Sequence, residues 1–186
     1  MSPLVPPRGT VQMVWSRGTR LLHWTLAVSM IASFVTHEGG GRWHEWTGYV
    51  ALAAAALRMV LGLVGGGRWR FGSFLQGAGA TWAYARAVWQ RREAHYLGHN
   101  PLGGWMVVAL LADAVAVGAT GWLYVTDRFW GTAWLEDLHG ALGHVVIPLL
   151  FLHVAGVVFT SMRQRENLAA AMVHGRKRAR PESDAD

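Results

Sequence analysis

Apolar residues run in long blocks along this chain, separated by short polar segments rich in arginine. Four blocks approach the roughly 20 residues that a helix needs to cross a bilayer: 21–40, 45–64, 104–124 and 139–161. None of the four interiors shows the polar stripe of a helix packed on a soluble core. The segment over 65–102 is too long for a bare turn. Within it, residues 81–93 mix Trp82, Tyr84, Val88 and Trp89 with Arg86, Arg91 and Arg92. That mixture predicts a short helix lying in the membrane interface, with a partner-docking surface as the alternative. Asn100-Pro101 predicts an N-cap and a first-turn proline for the third long helix. The end, 181–186, reads as disordered.

The pattern divides the chain into a leader over 1–20, a four-helix core over 21–162 and a basic tail over 163–186. The expected fold class is an all-α membrane protein, a four-transmembrane-helix bundle with a short interfacial helix between helices two and three. A cleaved signal peptide is not expected, because the first apolar block follows a leader with Pro and Arg and has no evident cleavage site.

Charge orients the bundle. Arg8, Arg17 and Arg20 precede helix one; Arg68, Arg70, Arg86, Arg91 and Arg92 lie between helices two and three; Arg163, Arg165, Arg176, Lys177, Arg178 and Arg180 follow helix four. The opposite side has only Arg42 and Arg128, beside Asp127, Glu136 and Asp137. The positive-inside rule therefore predicts both termini in the cytoplasm of a multi-pass protein of the bacterial inner membrane. A net charge of +6 would raise nucleic-acid binding for a soluble protein, but the basic residues here follow topology, and that class is set aside. Only 15% of residues are charged, and mean hydropathy is +0.21, so lipid is the expected surroundings.

The chain has no cysteine, which removes disulfides, iron–sulfur clusters, thiolate zinc sites and covalently attached haem. Histidine remains as the metal ligand, and in hydrocarbon it usually marks function. His139 and His153 are fourteen residues apart on helix four, hence within about 40° of one face and roughly 21 Å apart along the axis. Two ligands at two depths suit two stacked haems. Depth then supplies partners: His23 near the inner end of helix one for His153, and His44 at the outer start of helix two for His139. His37 competes with His44 for the outer position; His44 is favoured because it opens a helix. His144 points elsewhere on helix four, and His95, His99 and His174 belong to inner segments. Bis-His ligation leaves no open iron position and favours electron transfer.

Arg58 follows His44 by the same fourteen residues; it is expected near the inner haem, paired with a propionate or snorkelling to the interface. Asp113 reads as a proton route or a hydrogen bond across the bundle. Gly48 leaves room for a porphyrin or for close helix packing, and Pro148 is expected to bend helix four.

These residues resemble the bacterial/Ni-hydrogenase cytochrome b561 family. The resemblance lies in Val14-Trp-Ser-Arg-Gly-Thr-Arg-Leu-Leu-His23-Trp, His44-Glu-Trp-Thr-Gly-Tyr49, Leu57-Arg58-Met-Val-Leu-Gly62 and Leu97-Gly-His-Asn-Pro-Leu102. It continues in Thr120-Gly121, Leu138-His139, Leu152-His153-Val-Ala-Gly, Glu166-Asn-Leu and Gly175-Arg-Lys-Arg178. It implies two b haems with ligands at His23, His44, His139 and His153, which decides for His44 over His37. It also implies a quinone-linked electron carrier working with a c-type cytochrome, a dehydrogenase or a hydrogenase. The fifth helix of the larger hydrogenase-anchor type has no counterpart here. The expected function is electron transfer between quinone and a periplasmic redox partner. One alternative is a superoxide-oxidising quinone reductase; another, of a different class, is a transition-metal transporter, which needs ligands converging at one depth.

Overall fold

A computed structural model describes residues 11–38 and 41–178. Arg8, Arg180, the end of the first apolar block and the expected disordered end lie outside the described residues. Six α-helices make up the described chain: α1 (Arg17–Val35), α2 (Arg42–Val64), α3 (Ala78–Trp89), α4 (Pro101–Tyr124), α5 (Ala133–Gln164) and α6 (Leu168–His174). Two three-residue strands, β1 (Val11–Met13) and β2 (Arg176–Arg178), pair antiparallel.

Length and composition qualify α2, α4 and α5 to cross a membrane. The 19-residue α1 interrupts its apolar run with Arg17, Arg20, His23, Thr25, Ser29 and Ser33, and does not join that set. Of the four expected spans, three are thus met by helices of that kind. α1 packs on α2, α2 on α4 and α4 on α5. Backbone contact between α1 and α5 is sparse.

Caps set the helix ends. Ser16 accepts from the backbone N–H of Thr19 at the start of α1. Asn100 caps α4, its Oδ1 2.7 Å from the N–H of Gly103, with Pro101 in the first turn, as the sequence predicts. α5 runs through Pro148 without ending there. Between α2 and α3 the chain makes two short 3₁₀ turns, 67–69 and 71–73. They push Phe71, Phe74 and Leu75 against Leu26, Met30, Ala55, Leu111 and Ala114 of α1, α2 and α4. This is the best-buried part of the bundle.

The two short strands close that same side, here termed the ribbon end. Met13 pairs with Arg176 and Val11 with Arg178. Gly175 sits at φ +83°, in the left-handed region that favours glycine, and its carbonyl accepts from the N–H groups of Val14 and Trp15 at 2.8 and 3.1 Å. Arg20 reaches from α1 to the backbone carbonyl of Val173. Arg163, at the end of α5, grips Glu93 through two bonds of 2.8 Å, and those bonds hold the Glu93 carboxyl below its usual range. Tyr84 of α3 is buried, and lost hydration is the main reason its hydroxyl is pushed up to about 12.

Candidate functional site

Four of the five candidate site residues meet in two pairs. At the ribbon end the rings of His23 (α1) and His153 (α5) are 6.4 Å apart, centre to centre, with planes inclined by 49°. At the far end His44 (α2) and His139 (α5) are 5.9 Å apart and nearly perpendicular at 86°. Two imidazoles on opposite sides of one metal would stand roughly 6 Å apart between centres, given metal–nitrogen bonds of about 2.0 Å. Both spacings fit an ion between the rings.

The far-end pair also has its outward nitrogens fixed. His44 Nδ1 lies 2.9 Å from the carbonyl of Ser33 and 3.2 Å from its hydroxyl. His139 Nδ1 lies 3.1 Å from the carbonyl of Val117 and 3.2 Å from the Thr120 hydroxyl. A carbonyl only accepts, so in each ring Nδ1 carries the proton and Nε2 keeps a free lone pair for a metal. Histidine ligands are usually oriented in this way. The pair at the ribbon end has no hydrogen bond to its ring nitrogens among the described residues; His23 instead meets Trp24 edge-on at 5.3 Å.

Small residues keep the ligands in place. A Cβ at Gly121 would stand 2.8 Å from Cε1 of His139, so only glycine lets that ring lie against α4. Gly143, one turn after His139 and about 40° from it, and Gly156, just past His153, would each meet nothing within 4 Å. A flat group beside either ligand therefore has backbone and not side chain to lie on. At Gly48 a Cβ would reach the Ser33 hydroxyl at 3.6 Å, an ordinary contact, so α1 does not crowd that position.

The remaining histidines are placed elsewhere. His37 is exposed and bonded to the carbonyl of Phe34 at 2.6 Å. His144 is exposed and bonded to Gly140. His174 accepts from the N–H of Arg176. His95 lies 3.6 Å from Glu166. Among the described residues no three of His, Asp or Glu gather to hold a metal. Arg58 is at the ribbon end: one N–H donates to the carbonyl of Trp69 at 3.0 Å, and the guanidinium lies over the rings of Phe71 (5.1 Å) and Trp69 (5.8 Å). Asp113 is buried in α4, with one carboxylate oxygen lacking a hydrogen-bond partner among the described residues.

Sequence reasoning did not single out Ser33 or Val117, whose role depends on a neighbouring helix. Thr120 and Gly121 were visible as the Thr120-Gly121 motif, without a reason for either.

Three helices long and apolar enough to cross a bilayer, with histidine pairs spaced as two ligands about one metal, point to a membrane protein that holds a metal cofactor. Residues 14–175 match the sequence model of the prokaryotic cytochrome b561 family, and the chain belongs to that family. It is therefore a multi-pass membrane b-type cytochrome of electron transfer. No curated protein and no solved structure matches the chain.

Proposed function

We propose that this chain is a di-haem cytochrome that passes electrons between membrane quinone and a periplasmic redox partner, a c-type cytochrome or a dehydrogenase. The observation carrying this reading is the presence of two histidine pairs at opposite ends of α5, each with rings about a metal's width apart. On this reading α1 is the fourth span, α3 lies in the interface, and both termini are cytoplasmic in the bacterial inner membrane. The ribbon end is then the inner side.

Each haem b, when bound, supplies a one-electron iron couple. His23 with His153 would hold the inner one and His44 with His139 the outer one. The chain's own part would be to supply two histidines to each group, to orient the outer rings through Ser33 and Val117, and to keep water from the site. Arg58 would serve the inner haem's propionates. Two histidines at each site favour electron transfer over binding of a small substrate, which weighs against superoxide oxidation. The acidic residues Asp127, Glu136 and Asp137 suit a basic partner at the outer face.

The test uses the purified protein with haems reduced. Addition of a short-chain quinone should oxidise them in a saturable manner, and the rate of exchange with a basic c-type cytochrome should fall as salt rises. Haems inert to both quinone and quinol would reject the quinone link. Salt-independent exchange would reject the acidic docking face.

A further inference from the structure

Positive charge gathers at the ribbon end around a residue of the Gly-His-Asn-Pro motif. His99 is packed between Trp15, 4.9 Å between ring centres, and Phe74, 4.7 Å. Phe74 meets Phe71 edge-on at 6.0 Å, and Arg58 lies over Phe71. Arg58 has five N–H groups, of which one is engaged by the Trp69 carbonyl. Lys177, opposite Gln12 in the ribbon, is only 6% exposed.

These groups share one neighbourhood. Burial first, and then the charges of Arg58 and Lys177 and the rings of His153 and His23, hold the His99 imidazole down to about 3. Burial also lowers Lys177; Glu166 opposes that shift and Arg68 adds to it, while Glu166 is also 3.6 Å from His95. Arg20 contributes a buried Nε with no hydrogen-bond partner among the described residues. Cations drawn out of water beside one another call for an anion. A haem held by His23 and His153 would carry two carboxylates able to meet that need.

We propose that His99 and Lys177 join Arg58 in a cradle for the propionate carboxylates of the haem at His23 and His153, so that the paired terminal strands complete a cofactor site otherwise built from helices. This rests on the di-haem reading above. Neutral His99 donates one N–H, while Lys177 and Arg58 supply charge-assisted bonds. The role of the ribbon follows: Gly175 and the Trp15 backbone fix the strand that carries Lys177, and the Trp15 ring fixes His99.

Lys177→Met keeps length and removes charge, and His99→Phe keeps the packing against Trp15 and Phe74 and removes the N–H. Both are purified with haem, and each haem's midpoint potential is measured, the two being assigned through a variant lacking His139. Propionate bending bands in resonance Raman give a second readout. Loss of a cation or of a hydrogen-bond donor beside a carboxylate disfavours the reduced iron, so the inner potential should fall in both variants, further in Lys177→Met. Its propionate bands should shift while the outer haem is unchanged; loss of the inner haem alone supports the same conclusion. Unchanged potentials and bands with both haems bound, or equal changes at both haems, would overturn the proposal. A wild-type chain with fewer than two haems would instead overturn the reading on which it rests.

Discussion

The two ends of the bundle hold their histidines by different means. At the far end each ring is pinned by a backbone carbonyl and a hydroxyl, Ser33 for His44 and Val117 with Thr120 for His139. At the ribbon end the rings of His23 and His153 have no such bonds among the described residues, but Arg58 and Lys177 lie within electrostatic reach of the same neighbourhood. A carbonyl accepting from Nδ1 makes the imidazole a stronger donor to iron and favours the oxidised state. Nearby cations favour the reduced state. On the proposed di-haem reading, α5 thus carries two ligands in environments that push a redox couple in opposite directions. Ligand identity alone would then not set the electron's path, since all four proposed ligands are histidine.

The largest effect that can break this comparison is steric. Gly121→Val should displace His139 and remove the outer haem, halving the haem content while the inner haem stays. Haem retained at both sites would mean that the ring does not depend on the close approach to α4. Gly118→Val serves as the contrast, because a Cβ there would stand 2.7 Å from Cβ of Leu52 between α4 and α2. It should cost about 1–3 kcal/mol of stability by overpacking, seen in thermal unfolding, without selecting one haem over the other.

A subtler difference is electronic. The inner haem should titrate at the higher potential, and the nearly perpendicular far-end rings should give the more axial low-spin electron paramagnetic resonance signal. Perpendicular ligand planes leave the iron orbitals that interact with them close in energy. Spectra of single-haem variants check both statements, and identical signals would erase the contrast. The smallest effect expected concerns Glu93. Arg163 depresses its carboxyl, so its contribution is fully present above the unfolded glutamate value and is lost as pH falls through the lower folded one. Glu93→Gln should lower the melting temperature slightly at neutral pH, and the gap from wild type should close as pH falls below the usual glutamate range.

The helices were legible because an uninterrupted apolar run has few alternatives in a chain with so little charge. Their ends were less so: α1 starts at Arg17 and α5 at Ala133, since polar residues continue a helix that hydropathy alone stops early. The helix expected over 81–93 is formed as Ala78–Trp89. The terminal ribbon could not be read, because three residues at each end carry no periodicity and their pairing joins positions about as far apart as the chain allows. The 71–75 plug was hidden for a similar reason: Phe71 and Phe74 look like interfacial aromatics until α1, α2 and α4 close over them. The histidines' depths followed from helix register. Which carbonyl meets Nδ1 depends on how neighbouring helices rotate, and no local pattern records that.

Haem counted per chain, in the purified wild type and in the His139→Ala and His153→Ala variants, decides whether α5 bears two haem sites. Two haems b are expected in the wild type and one in each variant, the survivor keeping its low-spin bands. One haem in the wild type, or two in either variant, would contradict two sites on α5.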